Sequence, residues 1–250
     1  MAEAWRGLAT AVRTLSVLPA PGRDAASLAS ALPWFPLVGA LLGGMVWTVA
    51  RGVGALWPEG AAVLAVAAAA ALTRGLHLDG VADVADGFGG GRDREHALAI
   101  MKDPRAGSFG VVALTLVLLL KTVAFARLAA TGQTLWIVAA GALSRAMQVE
   151  LAATLPYARE DGTAGAFVRG ARPWHRALAH LLALAVAWTV AGPAGLAAAL
   201  LAWLVCRLIG ATARRRIGGV TGDVLGACSE WTETAVVFAA ALAGGWLLER

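Results

Sequence analysis

Again and again this sequence runs through about 16 to 20 residues with hardly a charge, the length a helix needs to cross a bilayer core of about 30 Å. Seven such stretches can be read, near 34–50, 60–75, 108–126, 134–154, 176–191, 194–210 and 234–248. Inside hydrocarbon only a helix or a closed barrel pairs every backbone N–H and C=O. The runs are continuous rather than alternating with a period of two, which selects helices. The expected fold is therefore all-α: a polytopic membrane bundle of about seven transmembrane helices, within limits of six to eight, forming one domain over residues 1–250. Composition agrees. The 250 residues are 59% hydrophobic and 15% charged, against about 45–50% and about 25% in soluble domains. Such apolar content excludes disorder. Cys206 and Cys228, the only cysteines, form no C-x-x-C pattern and exclude a disulfide scaffold.

A net charge of +5 first suggests nucleic acid, but the distribution of that charge argues for membrane topology. With the amino terminus in the cytoplasm, sixteen of the 21 basic residues fall on the inner side, from Arg6, Arg13 and Arg23 to Arg214, Arg215 and Arg216. Only Arg51, Arg127 and Arg250 fall outside, and Lys121 and Arg145 lie within spans. This positive-inside asymmetry explains the basic charge with no nucleic-acid partner. No cleavable signal peptide is legible in residues 1–30. There, Trp5, Leu8, Val12 and Leu15 recur at helical spacing, either as an amphipathic helix lying in the interface or as one packed on the bundle.

The long connections then share the cytoplasmic side, and two segments, 74–110 and 214–233, hold most of the polar chemistry. In the first, Asp79, Asp83 and Asp86 fall on one helical stripe about 60° wide, at about 100° per residue. Like charges so spaced repel, and a carboxylate at membrane depth is costly. A shared cation would relieve both penalties, and oxygen-only ligands favour Mg²⁺ or Mn²⁺ over zinc. The competing reading is a solvated acidic cap partnered by Arg74, Arg92, Arg94 and Arg105. Gly80, Gly87 and Gly89-Gly90-Gly91 would let a bulky phosphate approach the backbone. His77, about 160° from Asp79, is a candidate general base, a supporting residue or a helix-end cap. Asp103 is a further candidate ligand. In Thr221-Gly222-Asp223 the aspartate reads either as a metal or phosphate site at a helix start or as a plain N-cap.

The stretch Gly75–Gly110, together with Gly218-Gly219-Val220-Thr221-Gly222-Asp223-Val224-Leu225-Gly226-Ala227, resembles the signature of the cobalamin synthase family, the adenosylcobinamide-GDP ribazoletransferases. Pro33-Trp34-Phe35-Pro36-Leu37-Val38-Gly39 and Tyr157-Ala158-Arg159-Glu160-Asp161-Gly162 are similar to further landmarks, so the likeness covers essentially the whole chain. It departs at Pro104-Arg105-Ala106, where a more polar or branched pair is expected around the arginine.

The resemblance implies a Mg²⁺-dependent inner-membrane enzyme. α-Ribazole, or its 5′-phosphate, attacks the phosphorus nearest the corrinoid of adenosylcobinamide-GDP. GMP leaves, and adenosylcobalamin or its phosphate results. The residues agree with that chemistry, because phosphoryl transfer needs mainly positioning and charge neutralisation. Asp79, Asp83, Asp86, Asp103 and Asp223 are the candidate metal ligands, with Asp79, Asp83 and His77 as catalytic candidates. Arg74, Lys102, Arg105, Arg159 and Thr221 are candidates for binding phosphate. The Arg214–Arg216 run reads as a topology anchor or a further phosphate clamp. Oligomeric state stays open, a homo-oligomer included.

Two rivals remain. A CDP-alcohol phosphatidyltransferase also uses spaced aspartates, but its Asp-Gly is followed two residues later by Ala-Arg. Here Asp79-Gly80 leads into Val81-Ala82-Asp83. A secondary transporter would use Lys121, Arg145 and Glu150 as intramembrane charges, with Arg145 and Glu150 paired across a turn. No inverted repeat supports it.

Overall fold

The computed structural model describes residues 2–248, and no strand is present among them. In chain order the helices are α1 (Ala2–Leu15), a 3₁₀ segment (Leu28–Trp34), α2 (Phe35–Gly54), α3 (Pro58–Thr73), α4 (Leu76–Gly90) and α5 (Arg94–Ile100). They continue with α6 (Ser108–Ala130), α7 (Trp136–Thr154), α8 (Gly165–Gly170), α9 (Pro173–Ala191), α10 (Pro193–Ile217) and α11 (Gly222–Leu248).

α7 is the axle of the bundle. Every residue from Ala139 to Ala152 is buried, and the helix packs against α2, α9 and α11. Its approach to α2 depends on missing side chains. A Cβ on Gly39 would sit 2.1 Å from the Gly141 carbonyl oxygen, and one on Gly43 would sit 2.7 Å from that of Ile137. Apolar side chains gain little by leaving lipid for a helix interface, so close backbone approach through small residues drives such contacts. The outer faces remain apolar: Val111, Val112, Leu119 and Val123 on α6, and Leu200, Leu204 and Leu208 on α10, are all exposed.

α1 lies against the 3₁₀ segment and α2. Ala9, Ala11 and Leu15 face inward while Trp5 is exposed. Arg13 fixes the following loop by pairing with Asp24 at 2.6 Å and donating to the Ala20 carbonyl.

Among the described residues, three helical segments are by themselves long and apolar enough to span a membrane: Leu28–Gly54, Ser108–Ala130 and Pro193–Ile217. α3 and α4 qualify only as a pair, bent by 90° at their junction. The stretches read at 134–154, 176–191 and 234–248 are also helical, as α7, α9 and part of α11. The composition of α7 is diluted by Arg145, Gln148 and Glu150, and α11 carries Glu230 and Glu233 ahead of its apolar stretch. All five side chains are buried inside the bundle, so average hydropathy understates how apolar the outward faces are.

Candidate active site

The site begins at the α3–α4 corner. Arg74 and Gly75 both take left-handed backbone conformations, with φ of 52° and 68°, and the Gly75 amide closes α3 by donating to the Ala70 carbonyl. The turn aims α4 along the start of α11. Gly80 then allows contact, since a Cβ there would lie 2.5 Å from the Asp223 carbonyl oxygen. Gly87 and Gly91 serve the packing of α4 on α5, and Gly89 faces Phe109. These four glycines are therefore used by neighbouring protein atoms, not left open for phosphate.

The continuous helix α4 carries Asp79, Asp83 and Asp86 on one side. Asp86 is buried, and its two carboxylate oxygens accept the amides of Gly107 (2.7 Å) and Gly110 (2.9 Å). It thereby satisfies two orphan donors at the start of α6, where the helix dipole favours a negative charge. A Cβ on Gly107 or Gly110 would collide with that carboxylate. Asp83 is half-buried and Asp79 exposed, and neither has a hydrogen-bond partner among the described residues. The charges acting on Asp83 are the carboxylates of Asp223, Asp79 and Asp86 and the single guanidinium of Arg159.

Arg159 and Asp223 arrive by a long-range connection. Tyr157 and Val220 form an isolated parallel bridge, in which the Ala158 amide donates to the Val220 carbonyl at 2.8 Å and the Val220 amide to that of Pro156 at 2.9 Å. This stitch sets Arg159 against Asp223, with Nη2 2.8 Å from Oδ2. The Thr221 hydroxyl donates to the same carboxylate at 3.2 Å and accepts the Val224 amide at 3.3 Å. Thr221 thus caps α11 and leaves Asp223 in the first turn, which decides against the plain N-cap reading of the aspartate. Burial raises the Asp223 carboxyl above its ordinary range despite the opposing pull of Arg159 and Thr221.

The other sequence candidates lie elsewhere. Asp103 faces Arg105, which donates Nε to Oδ1 (2.9 Å) and Nη2 to Oδ2 (2.7 Å). That guanidinium holds the Asp103 carboxyl down at about 2, and the pair does not join the stripe. Arg74 is exposed at the helix corner, and Lys102 is exposed on a neighbouring cleft. Thr221 is fully buried, so its hydroxyl serves the helix start. Arg216 donates to the carbonyls of Phe88 and Gly91, closing the end of α4. That is a structural role beyond topology, and Arg94 does likewise for Ile217 and Ala158.

His77 is 2% exposed and part of a different assembly. Its Nδ1 lies 3.4 Å from Arg145 Nη2, and its Nε2 lies 3.1 Å from Gln148 Nε2. A guanidinium only donates, so Nδ1 accepts and the ring is neutral. Both ring nitrogens face this network instead of the stripe. Deeper in it, Lys121 Nζ binds Glu230 (2.5 Å) and Glu233 (3.1 Å), and Arg145 Nη1 binds Glu233 (2.5 Å). Glu150 instead pairs with Arg176 and His180 at 2.9 and 2.8 Å. The expected Arg145–Glu150 pair does not form, because positions five apart point about 140° away from each other on a helix. One signal for the actual network was available in the sequence: two cations and two carboxylates inside apolar helices sum to zero.

Among the described residues no three His, Cys, Asp or Glu side chains stand close enough to enclose an ion by themselves. The donors nevertheless fit magnesium, which usually takes one or two carboxylates and fills its remaining positions with water and substrate phosphate. Asp79 and Asp83 are free to ligate, with Asp223 beside them on Arg159.

The model of the family described as cobalamin-5-phosphate synthase matches residues 7–241. The chain belongs to this family. The protein named adenosylcobinamide-GDP ribazoletransferase in Chlorobaculum parvum is 53% identical over 250 residues, covering 96% of each chain. Proteins of the same name in Chlorobaculum tepidum and Chlorobium phaeobacteroides are 52% and 49% identical, covering 96% and 92% of this chain and 96% and 95% of their own. No solved structure matches the chain. The aspartate helix and the Thr-Gly-Asp start of α11, far apart in sequence, meet within this cobalamin-5-phosphate synthase family member.

Proposed function

We propose that the protein is an adenosylcobinamide-GDP ribazoletransferase of the bacterial cytoplasmic membrane. In this reading it is a bundle of about seven membrane helices, with the amino terminus and the aspartate site on the cytoplasmic side. The positive-inside distribution of basic residues supports that orientation. The observation that carries the reaction is the meeting of Asp79 and Asp83 with Asp223 and Arg159, four carboxylates to one cation once Asp86 is counted. A site so short of positive charge suits a ligand that arrives with divalent cations and a diphosphate.

Asp79 and Asp83 would hold Mg²⁺, with Mn²⁺ as a substitute, while Asp223 lies beside them on Arg159. The ion would supply charge neutralisation for the diphosphate and the departing GMP. A ribose hydroxyl of α-ribazole, or of its 5′-phosphate, bonds to the phosphorus attached to the corrinoid arm. The bond from that phosphorus to the bridging oxygen breaks, GMP leaves with the oxygen, and the hydroxyl proton passes to an aspartate of the cluster. Arg159 orients Asp223 and offers its remaining donors to phosphate oxygens. Asp86 anchors the end of α4, so the stripe keeps its direction.

The test is GMP release in detergent from adenosylcobinamide-GDP and α-ribazole, with and without Mg²⁺. The reading expects release that depends on both the second substrate and the metal. Well-folded protein that yields no GMP would overturn it.

A further inference from the structure

Beside the aspartate site, α5 and the 158–161 loop enclose a cleft of about 430 Å³, within the range of roughly 300–1,000 Å³ usual for small-molecule sites. Its charged lining is Arg94, Glu95, Lys102, Arg159, Glu160 and Asp161. Arg159 belongs to both places, because the guanidinium that lines the cleft also binds Asp223. A diphosphate held at the aspartates would therefore extend its nucleoside into this cleft.

The lining selects the nucleoside. Arg94 is committed to the wall, donating to the carbonyls of Ile217 and Ala158. Glu95, Glu160 and Asp161 are exposed, and none forms an ion pair among the described residues although Lys102 lines the same space. Ionised carboxylates only accept hydrogen bonds and lysine only donates them. A well-matched base therefore presents adjacent donors on one edge and acceptors on another. Guanine does so, with N1–H and the N2 amino group side by side and with O6 and N7 as acceptors. Adenine places a lone pair at N1, against which a carboxylate is repelled. Leu98 and Ala99 give the cleft an apolar wall for a flat ring.

We propose that this cleft is a guanine-nucleotide subsite, in which carboxylates of Glu95, Glu160 and Asp161 accept from the N1–H and N2 edge and Lys102 donates to O6 or N7. It rests on the reading of the aspartate site as a diphosphate site, and it adds residues that read the base.

The test is calorimetric binding of GMP, IMP and AMP to the full-length protein in detergent with Mg²⁺, which needs no turnover. GMP is expected to bind at least tenfold more tightly than IMP, which lacks the N2 amino group, and more tightly than AMP. Among Glu95→Gln, Glu160→Gln and Asp161→Asn, at least one is expected to remove that preference while leaving pyrophosphate affinity within twofold. Equal affinity for the three nucleotides, no nucleotide binding, or a preference untouched by all three variants would overturn the subsite. The two readings fail separately. Guanine preference without GMP release from adenosylcobinamide-GDP would sink the proposed reaction alone, and turnover without base discrimination would sink the subsite alone.

Discussion

Two polar clusters share α4, α7 and α11 or their flanks, and they handle charge in opposite ways. In the buried one, Lys121 and Arg145 face Glu230 and Glu233, each within hydrogen-bond reach of a partner and no side chain more than 9% exposed. Its charge sums to zero. In the aspartate cluster, Asp223 pairs with Arg159, Asp83 feels that one guanidinium against the carboxylates of Asp223, Asp79 and Asp86, and Asp79 opens to the outside. The difference teaches where counter-charge is part of the protein. Groups that only hold helices together must be balanced within the chain, because an unpaired buried charge is severely destabilising. Carboxylates left unbalanced at an accessible position point to a cation that comes and goes.

The sharpest way to break this comparison is to neutralise one member on the unbalanced side. Asp83→Asn should lower GMP release about a thousandfold, the upper range for losing one preorganised charge-stabilising group, with the size-exclusion profile in detergent unchanged. Near-normal release would remove Asp83 from the site. On the balanced side the loss should appear in stability. Lys121→Met leaves two buried carboxylates without their ammonium and should cost about 3–5 kcal/mol in reversible unfolding. Adding Glu230→Gln to it should recover part of that loss, whereas a double variant less stable than the single would contradict the charge-balance account.

Smaller effects sharpen the same contrast. Mg²⁺ at about a hundred times its dissociation constant should stabilise the native chain by about 2.7 kcal/mol, and should do much less for Asp79→Asn with Asp83→Asn. Smallest of all is Asp103→Asn. Its partner Arg105 is 86% exposed, and exposed pairs contribute little, so GMP release should stay within about twofold. The Asp103 carboxyl lies at about 2 in the folded chain against an ordinary 3.8. Whatever stabilisation this pair gives is thus complete above pH 3.8 and disappears as the pH falls through 2. A stability difference between Asp103→Asn and the native chain that is as large at pH 2 as at pH 7 would contradict this.

What was legible in the sequence followed local rules. The stripe of Asp79, Asp83 and Asp86 is fixed by helical periodicity, and α4 carries all three as one helix. What was illegible depended on pairings across the chain. Arg159 reaches Asp223 only because Tyr157 and Val220 bridge, and no spacing encodes that. Lys121 and Arg145 stood out as charges within spans, but their partners Glu230 and Glu233 lie about a hundred residues away. The glycines of α4 misled for a related reason. Gly80 is required by the Asp223 backbone across the contact, and a linear sequence does not distinguish room for a ligand from room for a neighbouring helix. Asp86 likewise reads as one more carboxylate until α6 supplies the amides that it accepts.

Electron paramagnetic resonance of Mn²⁺, titrated with pyrophosphate into the purified native chain and into Asp79→Asn with Asp83→Asn, tests the unbalanced cluster most directly. The account predicts protein-bound Mn²⁺ in the native chain, tightened by pyrophosphate, and a loss of at least tenfold in affinity in the double variant. Equal Mn²⁺ binding by the two proteins, or none by either, would contradict it.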